Sequence, residues 1–153
     1  MSIALIHLQD LMHSLGPSSS WIDSLIQEAS DSWTLQSSDG LSIAMTFNLE
    51  TSQLFLSALL GQPEEAHQSA IYTTMLCVNL LYAEDHSLRV ALTGPSGDLM
   101  LISEVSLTDW TIASLQDCIL HFHQHASRLI EEIHAIAEVE TTPEISEIDF
   151  LRA

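Results

Sequence analysis

The sequence predicts an α+β domain: an antiparallel twisted sheet with helices packed on one face, in the order α-β-β-β-α-β-β-α. Three observations carry this. Apolar residues recur at three- and four-residue spacing near both ends and in the middle of the chain. They recur at every second position over three consecutive short segments and two later ones. The links between those segments are short, which makes neighbouring strands antiparallel. A length of 153 residues supports one buried core, and 46% apolar residues exclude a disordered acidic chain.

The first helix spans residues 2–15, where Leu5, Leu8, Leu11/Met12 and Leu15 share a face, and Gly16-Pro17 is its stop. Ser18-Ser19-Ser20 is a polar break, leading into a short turn through Trp21, Ile22, Leu25 and Ile26. From Asp31 the period becomes two. Trp33 and Leu35 mark a strand, Ser38-Asp39-Gly40 a hairpin turn, and Leu41, Ile43, Met45 and Phe47 the returning strand. A turn over residues 48–52 leads to a third strand through Leu54, Leu56 and Ala58, ending at Gly61.

Pro63-Glu64-Glu65 has the composition of a helix start, with proline and carboxylates in the first turn. The helix continues to about Ala83 and has two apolar faces. One holds Ile71, Met75, Val78 and Tyr82; the other holds Tyr72, Leu76 and Leu80. A single stripe suffices to pack on a sheet, so the second face implies a partner subunit. Residues 88–92 and 99–105 form two strands around the turn Gly94-Pro95-Ser96-Gly97. The last helix runs from Thr108 to about Glu138 on Ile112, Leu115, Ile119, Phe122, Ala126, Leu129, Ile133 and Ile136, with Ser106 or Thr108 as its cap. Residues 1–138 are expected to form the domain, and residues 139–153 an acidic flexible tail.

Twenty-one acids face three bases, Arg89, Arg128 and Arg152, for a formal charge of −18. Such a surface repels phosphate backbones and anionic lipid heads, which argues against nucleic acid or membrane as a partner. The opposite use of that charge is to imitate nucleic acid and occupy a basic protein. Residues 66–83 lack any charge, but His67, Gln68, Thr73, Thr74 and Asn79 interrupt them, so they read as a buried helix rather than a membrane span. No basic N-terminal region precedes an apolar run, and the expected location is cytoplasmic.

Nothing in the chain reads as an enzyme. Thr93-Gly94-Pro95-Ser96-Gly97 is a turn without the strand-to-helix context of a nucleophile elbow. Cys77 and Cys118 lie in apolar helical stretches without basic neighbours, and both are expected to be buried thiols. Five glycines include no phosphate-cradling loop. His121, His123 and His125 fall on a helix, where His121 and His125 share one face and His123 points away. Two imidazoles lack the third and fourth ligands of a specific metal site, so no metal or cofactor is expected. The eight histidines read as polar surface residues rather than as a pH sensor.

The order of these pieces resembles the class I type III secretion chaperones, over residues 3 to 136. Leu54-Phe55-Leu56-Ser57-Ala58-Leu59-Leu60-Gly61 is similar to that family's L-x-L-x-A-x-L-G strand, and Asn79-Leu80-Leu81 to its A-N-L-L. Leu99, Leu101, Val105 and Leu107 resemble its penultimate strand exit. Phe122 and Ala126 resemble its F-V-x-x-A, and Leu5, Leu8, Leu11, Leu15 and Gly16 its first helix and stop. The chain departs from the pattern in having Glu84-Asp85-His86-Ser87 for the usual Gly-Gly turn, an insertion at 18–30, and the tail.

The resemblance implies an acidic homodimer that keeps the non-globular N-terminal segment of a secreted effector extended and export-competent. The implied contacts are apolar patches and strand addition to a sheet edge. The implied effector-binding residues are Leu5, Leu8, Met12, Trp33 and Leu35, each of which also reads as plain core. The implied dimer interface is Ile71, Met75, Val78 and Tyr82, and the secretion ATPase is a further implied partner. A regulatory variant of the same role would sequester an anti-activator of transcription.

Overall fold

The computed structural model describes residues 3–84, 87–95 and 97–140. It contains α1 (Ile3–Ser18), β1 (Ile22–Ala29), β2 (Ser32–Ser37), β3 (Ser42–Asn48), β4 (Gln53–Gly61), α2 (Gln68–Leu81), β5 (Leu88–Leu92), β6 (Leu99–Ser106) and α3 (Ile112–Glu140). The strands form one sheet in the order β1-β2-β3-β4-β6-β5, antiparallel throughout. The α+β class and the antiparallel sheet read from the sequence are those of the fold.

Strict alternation places one face of each central strand inside. Trp33 and Leu35 from β2, Ile43, Met45 and Phe47 from β3, and Leu54, Leu56, Ala58 and Leu60 from β4 are buried. Leu88 and Val90 from β5 and Leu99 and Leu101 from β6 complete this surface. The helices cover it with Leu5, Leu8, Met12 and Leu15 of α1, Ile71 and Met75 of α2, and Leu115, Ile119, Phe122, Ala126, Leu129 and Ile133 of α3. The other face of the sheet carries the exposed alternates, among them Ser42, Ala44, Thr46 and Leu59.

The structure departs from the sequence reading at the ends of elements. Residues 22–29, expected as a turn, are β1, an added edge strand. Register shifts between Ile22 and Ser24 and between Gln27 and Ala29 break its pairing with β2. Bulges of this kind destroy a period of two, and the inward-leaning Ile22 and Leu25 are three residues apart. α1 runs past Gly16 to Ser18, whose hydroxyl donates to the Leu15 carbonyl at 2.8 Å.

The α2 helix begins at Gln68 rather than at Pro63, because residues 65–67 form a separate turn, closed by the His67 amide on the Glu64 carbonyl at 2.9 Å. α3 is capped by neither Ser106 nor Thr108. Thr111 and Ser114 cap it reciprocally: the Ser114 amide donates to Thr111 Oγ1 at 3.2 Å and the Thr111 amide to Ser114 Oγ at 2.8 Å. Asp109, at φ 53°, turns the chain between β6 and this cap. α3 continues to Glu140, two residues beyond its expected end at Glu138, and residues 141–153 lie outside the described residues.

Candidate partner-binding surfaces

Two surfaces stand out, a groove beside a free sheet edge and an uncovered helix face. The groove lies between α1 and the β1–β2 pair and has a volume of about 420 Å³. Met12, His13 and Gly16 of α1 form one wall, Ile22, Asp23, Ser24, Leu25 and Gln27 of β1 the other, and Trp33 the floor. β1 is the terminal strand of the sheet, and its outer edge has no strand neighbour among the described residues. Such an edge presents backbone donors and acceptors to an added strand. Ile26, 55% exposed, stands beside it. The Gln9 amide ties α1 to the β1–β2 turn through the Ser30 carbonyl at 2.7 Å, which holds the two walls together.

The five sequence-derived effector candidates divide on this geometry. Met12 and Trp33, 2% and 3% exposed, are core residues that border the groove. Leu5, Leu8 and Leu35, 3%, 1% and 0% exposed, also lie in the core and do not border the groove. Ile22 and Leu25 belong to the groove but escaped the sequence reading, because the bulges hide their strand.

The helix face belongs to α2. Of the four dimer candidates, Ile71 and Met75 are buried in the chain's own core, and Val78 and Tyr82 pack partly against it. The second stripe named in the sequence is the uncovered one. Leu76 and Leu80 are 70% and 76% exposed, with Leu81 beside them. Cys77, expected to be buried, is exposed on this same side. Three adjacent exposed leucines are a patch that solvent disfavours, and such patches mark interaction sites.

The polar groups form structural pairs. Asp39 Oδ1 accepts from the Ser37 hydroxyl and lies 3.1 Å from His123 Nε2, which ties the β2–β3 turn to α3. These bonds, Ser37 first and His123 second, hold the Asp39 carboxyl down at about 2. The Trp21 ring lies 4.9 Å from the His123 ring. Burial pushes the Cys118 thiol up to about 11, which makes it a poor nucleophile. Among the described residues no three His, Cys, Asp or Glu side chains gather into a metal-holding group, and no helix is long and apolar enough to cross a membrane.

Residues 12–130 match the sequence model of the Tir chaperone protein (CesT) family, over well more than half of the chain. The chain belongs to that family. The family is one of type III secretion chaperones, as the strand and helix motifs suggested. No curated protein matches the chain by sequence.

Solved structures share the fold of this CesT-family chain, among them three complexes. The ExsC–ExsE complex aligns with TM-score 0.64 and 15% identity, over 86% of this chain and 96% of that one. The HopA1–SchA chaperone–effector complex aligns with TM-score 0.64 and 12% identity, over 86% and 98%. The heterodimeric ExoU–SpcU complex from the type III secretion system of Pseudomonas aeruginosa aligns with TM-score 0.53 and 18% identity, over 70% and 86%.

Proposed function

We propose that this secretion chaperone acts in the bacterial cytoplasm as a homodimer, holding the non-globular N-terminal segment of a secreted effector in an extended form. The observation that carries the reading is the pairing of the outer β1 edge with a groove of mixed polar and apolar lining, bordered by Met12, Ile22, Leu25 and Trp33. An extended segment gains main-chain hydrogen bonds along the edge, while its alternate side chains enter the groove. Met12, Ile22, Leu25 and Trp33 are the residues assigned to that contact. The segment stays outside the core, so it remains ready for threading. The chain needs no chemistry of its own for this work.

The second copy packs on the α2 stripe of Leu76, Leu80 and Leu81. The stripe replaces Ile71 and Met75 in the assignment because those two are already covered. A two-fold interface brings the same patch of each subunit together, so burying these leucines once buries both sets. The surface charge keeps the dimer soluble and repels other acidic proteins. Contact with the secretion ATPase is assigned to the dimer carrying its cargo.

Capture from the native host with the tagged chain at high salt, followed by limited proteolysis and mass spectrometry, tests this. The expected result is a protected N-terminal segment of a secreted protein, with two chaperone chains per cargo. Recovery of an anti-activator segment instead would make the role regulatory. Recovery only of a basic DNA-binding protein that dissociates in salt would replace the reading with nucleic-acid mimicry, because screened ionic contacts weaken while apolar contacts persist.

A further inference from the structure

We propose that His121 and His125 form a two-imidazole clamp for a borderline divalent transition metal ion, Zn²⁺, Ni²⁺ or Cu²⁺, independent of cargo binding. The rings lie one turn apart on α3, with centroids 4.4 Å apart and Nε2 atoms 3.0 Å apart. Two imidazoles on a tetrahedral ion with bonds of about 2.0–2.1 Å place their nitrogens roughly 3.3 Å apart. A small opening of the rings therefore admits the ion. The backbone beneath them is already fixed, since Phe122 and Ala126 between and beside the two histidines are buried in the core.

A second group orients one of the rings. His125 Nδ1 lies 2.9 Å from the Tyr82 hydroxyl, and the two rings meet edge-on at 83°. An imidazole that binds a metal through Nε2 carries its proton on Nδ1, where it needs an acceptor. Tyr82 Oη is that acceptor. Without metal, one Nε2 donates its proton to the other; with metal, that ring carries its proton on Nδ1 and both Nε2 lone pairs face the ion. His123 takes no part, because its Nε2 is engaged with Asp39 on another side of α3.

His121 and His125 are the two ligands the described residues supply, since no group of three metal-binding side chains occurs among them. Such a chelate is exchangeable rather than structural. Asp117 lies one turn before His121 and Arg128 lies three residues after His125, so the nearby charges oppose one another and the chelate geometry decides. Imidazole selects Zn²⁺, Ni²⁺ and Cu²⁺ and leaves Mg²⁺ and Ca²⁺ to oxygen donors. The Tyr82 contact joins the clamp on α3 to the C-terminal end of α2.

Calorimetric titration of the full chain with Ni²⁺ or Zn²⁺ at neutral pH tests the clamp. One ion per chain is expected, with at least a tenfold loss of affinity in His121→Ala and in His125→Ala and none in His123→Ala. Tyr82→Phe is expected to retain binding with reduced affinity, and Mg²⁺ to give no heat. Circular dichroism of each variant separates lost binding from lost fold. With Cu²⁺, electron paramagnetic resonance is expected to count two imidazole nitrogens in the wild type. Equal affinity in the wild type and the His121→Ala/His125→Ala double variant, or fewer than two nitrogens on copper, would overturn the proposal.

Discussion

The Asn79 side chain closes both hydrogen bonds of Val90: its Oδ1 accepts from the Val90 amide at 2.7 Å, and its Nδ2 donates to the Val90 carbonyl at 2.9 Å. β5 is the last strand of the sheet, and Val90 pairs in register with Leu101 of β6 on its other side. The amide of Asn79 therefore stands in for a missing strand neighbour and blocks that edge. This gives a physical reason for an asparagine late in α2, in the Asn79-Leu80-Leu81 motif. The next residues, Leu80 and Leu81, face solvent. One end of the sheet is thus closed by α2, while the β1 end has no strand beside it among the described residues.

Removing this link exposes the pair to an unmatched partner. Asn79→Ala is expected to cost about 1–3 kcal/mol, the usual cost of leaving part-buried groups unpaired. Asn79→Asp keeps the acceptor but loses the donor, and is expected to fall between. Urea denaturation with an unchanged slope is the check.

The two stripes of α2 are expected to respond oppositely to charge. Leu80→Glu leaves the fold intact and halves the mass measured by light scattering, because it falls on the proposed subunit face. Met75→Glu places a carboxylate in the core and costs about 3 kcal/mol or more, as unpaired buried charges do. A dimer unchanged by Leu80→Glu would contradict the placement of that face.

The two thiols should separate cleanly. Cys77 is exposed and Cys118 is held near 11 by burial. At pH 8, iodoacetamide is expected to label Cys77 and leave Cys118 unmodified, as read by peptide mass spectrometry. In the assembled dimer, labelling of Cys77 is expected to slow if its side of α2 is covered.

Acid should loosen the β2–β3 turn. The Asp39 carboxyl lies at about 2, below its ordinary 3.8, through the Ser37 hydroxyl and then the His123 ring. A group lowered on folding contributes its stability fully above the ordinary value and loses it as pH falls through the lowered one. The contribution is therefore present above about pH 4 and fades between pH 4 and 2. Asp39→Asn is expected to abolish that part of the pH dependence, measured as the difference in melting temperature between pH 5 and pH 2.5.

Much of the fold was legible because its signals are local. Met45, Leu54 and Leu56 keep strict alternation, and Leu115, Ile119, Phe122 and Ala126 keep helical spacing. β1 was not legible, since two bulges put Ile22 and Leu25 three residues apart. The caps were missed for a related reason: Thr111 and Ser114 reveal themselves only once Asp109 has turned the chain. The candidate surfaces were half legible. Apolar residues in α1 and β2 were identified, but Trp33 and Leu35 are both buried, and periodicity does not tell which of them borders the groove. The two faces of α2 were visible in the sequence, and only the packing of Ile71 and Met75 decided which of them was spent.

Hydrogen exchange of the purified chain with and without its captured effector segment tests the central claim most directly. The account predicts slowed exchange in residues 22–29 on binding, with the groove wall of α1 protected alongside and the cargo segment ordered only where it meets β1. Unchanged exchange across β1 in a stable complex would contradict it.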